Sequence, residues 1–487
     1  MPDSPIDARH ELKRGLWWMG GATVAMRVLD LVGTFLVLQF LSKEQVGVAT
    51  TSWSVAVVLE AFNGLGVGAV VVRRADLSHH ELSGLFWFAT LLGAAATGLI
   101  YLAGPWLAAF YHHPELAPMF VVSAAKLIFV GASLVPLQLL SRDLQFRESG
   151  AVQTLASLGE AVTKAVLILA GFGAWSLVVA NTARGFFLFI ALLWFSPFRP
   201  QFALAVRSTA ESIRFGLHVA ASDIIYNAYR NADFLLLGRV LGEAALGVYR
   251  VAFDLGMTPL ETVVRVVNRV QFPIYAKLQG LGAELRDAFF QSARSLLLVV
   301  GPVAALLTFA SRDVLTVVAS GHWLAALPMV QVLAWASLLR GLGLLFPQLF
   351  LATGRPEFAV YDAVITGLAL VSGFVLALVL APTDSKVLWV AWAWLLTYPV
   401  ALTADFLMVR ACAPITVRGL VQDLGPSLLG LALVTGALAA ATQLRQVLAS
   451  PILSLAVLIL VALGTHAIYL RRVLHLRSRD LLPQRET

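Results

Sequence analysis

The sequence predicts an all-α polytopic membrane protein with about 14 transmembrane helices. They form two six-helix bundles related by a pseudo-two-fold axis along the membrane normal, plus two C-terminal helices. Three observations predict this. Hydrophobic residues make up 59% of the 487 and charged residues 13%, with a mean hydropathy of +0.82, whereas a soluble domain is nearer half apolar and about a quarter charged. Apolar runs near the ~20 residues needed to cross a bilayer recur along the whole chain. The two halves also share sequence at an offset of 200: QFLSKEQVGVA at 39–49 lies over RVLGEAALGVY at 239–249, pairing Leu41 with Leu241, Gly47 with Gly247 and Val48 with Val248.

The first run, 16–41, follows the mixed-charge start MPDSPIDARHELKRGLWW and is too long for a cleaved signal core, so it is expected to span. Runs 45–71, 83–105, 116–140, 150–171 and 174–196 complete the first six. Breaks such as YHHPEL at 111–116 and SPFRP at 196–200 carry turn residues. The second six are 213–238, 243–268, 288–310, 323–351, 357–381 and 386–409. A weaker echo pairs PLQLLSRDLQF at 136–146 with PQLFLATGRPEF at 347–358. With six spans each, both halves enter the membrane in the same direction, as parallel repeats do. Such repeats leave a cavity between them and permit alternating access. Runs 425–443 and 450–470 fall outside the repeat. The expected domains are thus 1–205, 206–415 and 416–487.

Lys and Arg set the orientation. With the N-terminus inside, the cytoplasmic segments hold 21 of the 35 and the outside loops only five: Lys43, Arg239, Arg312, Lys386 and Arg445. That asymmetry predicts a multi-pass membrane protein with both termini cytoplasmic and an even number of spans.

The net charge of +7 and pI of about 9.7 do not imply nucleic acid, because the charge is spread over short loops and makes no basic face. No GxxxxGK[ST] loop appears, so no nucleotide is expected by that route. Cys412 is the single cysteine, which leaves no intrachain disulfide and no thiolate metal site. The pairs His79–His80 and His112–His113 lie in opposite loops and do not converge as metal ligands must. No nucleophile–base set stands out, so an enzyme is not expected, and neither is a cofactor.

The acidic and basic residues inside the runs call for explanation, since an ionisable side chain at the bilayer centre costs ~2.5–3.5 kcal/mol on the insertion scale. In the first span Thr23, Arg27, Asp30 and Thr34 step by helical spacing; in the seventh, so do Asp223, Asn227 and Arg230; in the eighth, Arg250, Asp254, Glu261, Arg265 and Asn268. Glu60 and Asn63 add to the second span, and Lys126, Arg184 and Arg340 are lone cations elsewhere. At the offset of 200, Arg27 overlies Asn227 and Asp30 overlies Arg230. The stripes predict a polar cavity lined by spans one, two, seven and eight. Glu160–Lys164, Arg250–Asp254 and Glu261–Arg265 also fit i, i+4 bridges that hold helices together. Tyr226 and Tyr229 beside the seventh-span stripe are candidates for stacking on a sugar.

RNADFLLLGRVLGEAALGVYRVAFDLGMTP at 230–259 closely resembles the seventh-to-eighth span region of the polysaccharide transporter family, within the multidrug/oligosaccharidyl-lipid/polysaccharide exporter superfamily. The matching features are Asp233, Gly238, Leu241, Gly242, Leu246, Gly247 and Tyr249, and FPIYAKLQ at 272–279, LLSRDLQFR at 139–147 and ATGRPEF at 352–358 resemble the family's loops. The resemblance implies a flippase for an oligosaccharide on undecaprenyl pyrophosphate, working by alternating access with a coupling proton (H+) or sodium ion (Na+). A polysaccharide polymerase or copolymerase would be its partner. On that reading Arg27, Arg230, Arg250, Arg265, Asn227 and Tyr226 meet substrate, while Asp30, Glu60, Asp223, Asp233, Asp254 and Glu261 couple an ion or balance charge. A lipid-linked peptidoglycan precursor flippase, a drug/cation antiporter of the same superfamily and a non-transporting scaffold for glycan synthesis remain as alternatives.

Overall fold

The computed structural model describes residues 5–64, 67–74, 76–143, 145–202, 225–319, 321–446 and 450–472. Helices and their connecting turns account for them, with no strand among the described residues. Eleven helices there are long and apolar enough to cross a membrane. The expected spans 45–71, 213–238 and 243–268 are not among the eleven, because the described helices in them are shorter or more polar. The chain divides into two compact units, Met1–Gly247 and Val248–Thr487.

The first unit holds α1 (Pro5–Phe40), α2 (Lys43–Gly64), α3 (Val67–Arg73), α4 (His79–Phe110), α5 (Leu116–Arg142), α6 (Phe146–Leu169), α7 (Ala174–Phe195), a helical run over 225–230, α8 (Ala232–Leu241) and the start of α9 (Glu243–Gly256). Helix α4 begins with a capping box: Ser78 Oγ accepts from the Glu81 amide at 3.2 Å, and Glu81 Oε2 accepts from the Ser78 amide at 2.9 Å. Helix α5 lies centrally, with Phe120, Leu127 and Val135 fully buried and contacts to α2, α3, α4 and α7. Hydroxyls tie these helices together, as in Ser52 with Ser123 at 2.6 Å and Thr97 donating to the Ala124 carbonyl at 2.8 Å.

The repeat is visible in one contact of this unit. A Cβ added to Gly47 would lie 1.8 Å from the Glu243 carbonyl oxygen, and one added to Gly247 would lie 1.8 Å from that of Lys43. The offset of 200 exchanges the two contacts. Helices α2 and α9 therefore cross with bare backbone on both sides, in a local two-fold arrangement that only glycine permits.

The second unit continues α9 and adds α10 (Thr258–Lys277), α11 (Gly282–Ala319), α12 (Leu327–Gly343), α13 (Leu345–Ala352), α14 (Pro356–Leu380), α15 (Lys386–Val409), α16 (Val417–Ala441) and α17 (Pro451–Arg472). Its core is built on Phe290, Phe350, Leu297, Leu345 and Val434. The 38-residue α11 is its spine, packed against α12, α16 and α17. The two C-terminal helices thus join this unit.

Two expected spans are broken rods. The seventh is interrupted at Asn231, between the run 225–230 and α8, and the eighth at Met257, between α9 and α10. The second break has a local cause: Pro259 has no amide to bond the Leu255 carbonyl, and it sits in the first turn of α10.

Candidate functional site

The first unit gathers seven ionisable side chains from five helices. On α1, Arg27 Nη1 bonds Asp30 Oδ2 at 3.0 Å. On α6, Glu160 accepts from Lys164 at 3.1 Å and from Arg184 of α7 at 3.0 Å. Lys126 of α5 reaches Glu60 of α2 at 3.1 Å. These pairs are neighbours. Asp30 lies within electrostatic reach of Glu160, Arg184 and Lys164. A methyl on Gly185, next to Arg184, would sit 3.2 Å from Lys126 Cγ. Among the described residues, four cations and three anions meet in these pairs.

Exposure separates these pairs from structural cement. The Arg27 and Asp30 side chains are 34% and 46% exposed, and Arg184 is 40% exposed. Open pairs of this kind contribute about 0–1 kcal/mol to stability. Putting each ion at membrane depth costs ~2.5–3.5 kcal/mol. Stability therefore does not account for the cluster. Lys126, Lys164 and Arg184, lone or bridging in the sequence, are brought beside the predicted Arg27, Asp30 and Glu60.

The seventh-span candidates adjoin the Asn231 break. The Arg230 guanidinium lies 5.9 Å from the centre of the Tyr226 ring, which meets Tyr229 edge-on at 5.4 Å. Asn231 Nδ2 donates to the Asn227 carbonyl at 2.9 Å, closing the last turn before the break. Asp233 is fully buried in the first turn of α8, where its Oδ1 accepts from the Phe234 amide at 2.8 Å. A carboxylate there meets the positive end of the helix dipole, which gives Asp233 a structural task at the restart. Asp223 lies outside the described residues.

In the second unit, Arg250 Nε bonds Asp254 Oδ2 at 2.9 Å, the i, i+4 bridge the spacing suggested. Glu261 has a buried partner from another helix. It takes Arg340 of α12, with Nη1 to Oε1 at 2.5 Å and both side chains buried. The Arg340 guanidinium also sits 5.2 Å from the Trp394 ring centre, and Trp394 Nε1 donates to Tyr249 OH at 2.9 Å. Glu261 is thus built into a closed aromatic and ionic knot. Of Arg265 only the backbone, on α10, is described.

Two acidic groups escaped the sequence reading: Asp362 on α14 and Asp405 on α15, whose carboxyls face each other. Asp405 is the single acid of its run, and Asp362 shares its own only with Glu357 five residues away, so no helical spacing draws attention to either. An ionisable residue within a span is itself the available signal.

The arrangement fits what known proteins offer for comparison. A family model described as polysaccharide biosynthesis protein matches residues 36–328, more than half of the chain. The teichuronic acid biosynthesis protein TuaB of Bacillus subtilis is 26% identical over 411 residues, covering 82% of each chain. The lipopolysaccharide biosynthesis protein WzxC of Escherichia coli is 26% identical over 365 residues, covering 73% of this chain and 72% of that one. Among solved structures, the lipid II flippase MurJ in an inward closed conformation superposes with a TM-score of 0.72 at 12% identity, over 94% of this chain and 99% of that one. An inward-facing MATE family transporter of the MOP superfamily superposes with a TM-score of 0.65 at 14% identity, over 80% and 95%. At such identities the two structures speak for the fold alone.

Proposed function

The chain belongs to the polysaccharide biosynthesis protein family, within the multidrug/oligosaccharidyl-lipid/polysaccharide exporter superfamily, and from that membership we propose that it is a lipid-linked oligosaccharide flippase. It moves the glycan, carried on undecaprenyl pyrophosphate, from the cytoplasmic to the periplasmic leaflet of a bacterial inner membrane. It breaks no covalent bond in doing so. The N- and C-termini face the cytoplasm, and the cargo is handed to a polysaccharide polymerase.

The observation that carries this reading is the partly open cluster of cations and anions in the first unit, on helices expected to span the membrane. Guanidinium forks match phosphate oxygens bidentately. In this reading Arg27 and Arg230, with Arg250 and Arg265 of the second unit, take turns at the pyrophosphate and polar sugar. Asn227 and Tyr226 offer an amide and a ring face to the sugar. Asp30, Glu60, Asp223 and Asp254 keep the cations neutralised between cargoes, and ion movement supplies the drive.

Deletion of the gene tests the function: lipid-linked oligosaccharide should accumulate in the inner leaflet. Arg27→Ala and Arg230→Ala, inserted at normal levels, should each lower export about tenfold. Normal glycan export by both would remove the site assignment, and an unchanged leaflet distribution in the deletion strain would remove the function.

A further inference from the structure

Outside the charged cluster, the second unit contains a pair of acids that no cation among the described residues serves. Asp405 lies four residues before the end of α15, on the buried face that also carries Trp394, Tyr398 and Ala401. It is 1% exposed, and neither carboxyl oxygen meets a hydrogen-bond donor. The group it faces is the carboxyl of Asp362, six residues into α14. Asp362 Oδ1 accepts from Thr366 Oγ1 at 3.0 Å.

The surroundings offer no counter-charge. Helix α12 brings Arg340, which is committed to Glu261. Arg340 also stands over Trp394, eleven residues and so about 16 Å along α15 from Asp405. Helix α13 carries no ionisable side chain. Helix α14 adds Glu357 and Tyr361, both exposed, and α15 adds Tyr398, seven residues or about two turns from Asp405; Arg410 follows at the exposed helix end. Neither acid takes part in an ion pair among the described residues.

Two ionised carboxylates cannot lie against each other at membrane depth without a cation, because each loses its hydration and each repels the other. One proton resolves both difficulties. It removes one charge and turns one acceptor into the donor that the other lacks. We propose that Asp362 and Asp405 form a proton-binding site, a carboxylic acid hydrogen-bonded to a carboxylate, near the end of the α14–α15 hairpin opposite its turn. The residence of the proton rests on this geometry alone; its use to drive transport rests on the flippase reading above.

Infrared difference spectroscopy of the full-length protein in lipid nanodiscs tests the site. With ¹³C-labelled aspartate, the wild type should show a protonated-carboxyl band at neutral pH that shifts in D₂O and disappears on alkaline titration. Asp405→Asn and Asp362→Asn should each abolish it. Asparagine mimics the neutral acid in shape and donor capacity, so Asp405→Asn should fold and should lose the alkaline decrease in melting temperature that the wild type shows. A band that survives in both variants, a wild type with no such band, or a band removed by sodium ions at constant pH would overturn the assignment. A proton gradient assay of glycan flipping then tests the drive separately, since the band can be present while transport ignores the gradient.

Discussion

The two units treat charge inside the membrane in opposite ways. In the first, seven described ionisable groups from five helices share partners and stay partly open. In the second, the Arg340–Glu261 pair is sealed under Trp394, and the acids Asp362 and Asp405 meet without a cation among the described residues. Helices related by an internal repeat have thus been put to different uses. An open network can exchange an internal partner for an external anion at little cost, because its pairs contribute little to stability. A sealed pair cannot, because removing either member leaves a desolvated charge.

That contrast breaks first at Arg340. Arg340→Ala removes the buried guanidinium that Glu261 takes and should cost about 3–5 kcal/mol, read as loss of monodisperse protein or a large fall in melting temperature in detergent. The double variant R340M/E261L, which removes both charges, should recover most of it. If it does not, the knot does more than balance charge.

Gly47→Ala comes next. Its new methyl must push aside a carbonyl 1.8 Å away, at a cost of about 1–3 kcal/mol. Gly247→Ala should match it in thermal melts, and unequal shifts would break the equivalence of the two repeats. Glu160→Gln leaves Lys164 and Arg184 sharing a neutral amide, and partial exposure holds the stability loss to about 1 kcal/mol. Arg27→Ala should move the melting temperature least, by less than about 1 kcal/mol in stability. In a flipping assay it should nonetheless lower the rate about tenfold, the equivalent of one charge-assisted contact. A stability loss as large as that of Arg340→Ala would merge the two classes.

Much of the fold was legible because membrane helices announce themselves by length and hydropathy. Helical spacing also brought out Arg27 with Asp30 and Arg250 with Asp254, since partners three or four residues apart lie on one face. The same rule could not offer Arg340 as a buried partner for Glu261, since it lies 79 residues away on another helix. Spacing carries no information across helices, and for the same reason Asp362 and Asp405 look like isolated acids in the chain. The break at Met257 had a visible cause in Pro259, but apolar composition on both sides masked it. The break at Asn231 has no proline to announce it.

The division between the units falls at Gly247–Val248, inside α9 and not in a loop. This bears on modularity. A chain cut there loses a helix in mid-course and leaves up to four carbonyls without partners at the new C-terminus and up to four amides at the new N-terminus. In a bilayer those groups have no water to turn to. The two halves descend from one pattern, yet they are not cassettes that can be exchanged or expressed apart at that point. A functional split of this molecule has to be made in an extramembrane turn, such as the one at 381–385 between α14 and α15.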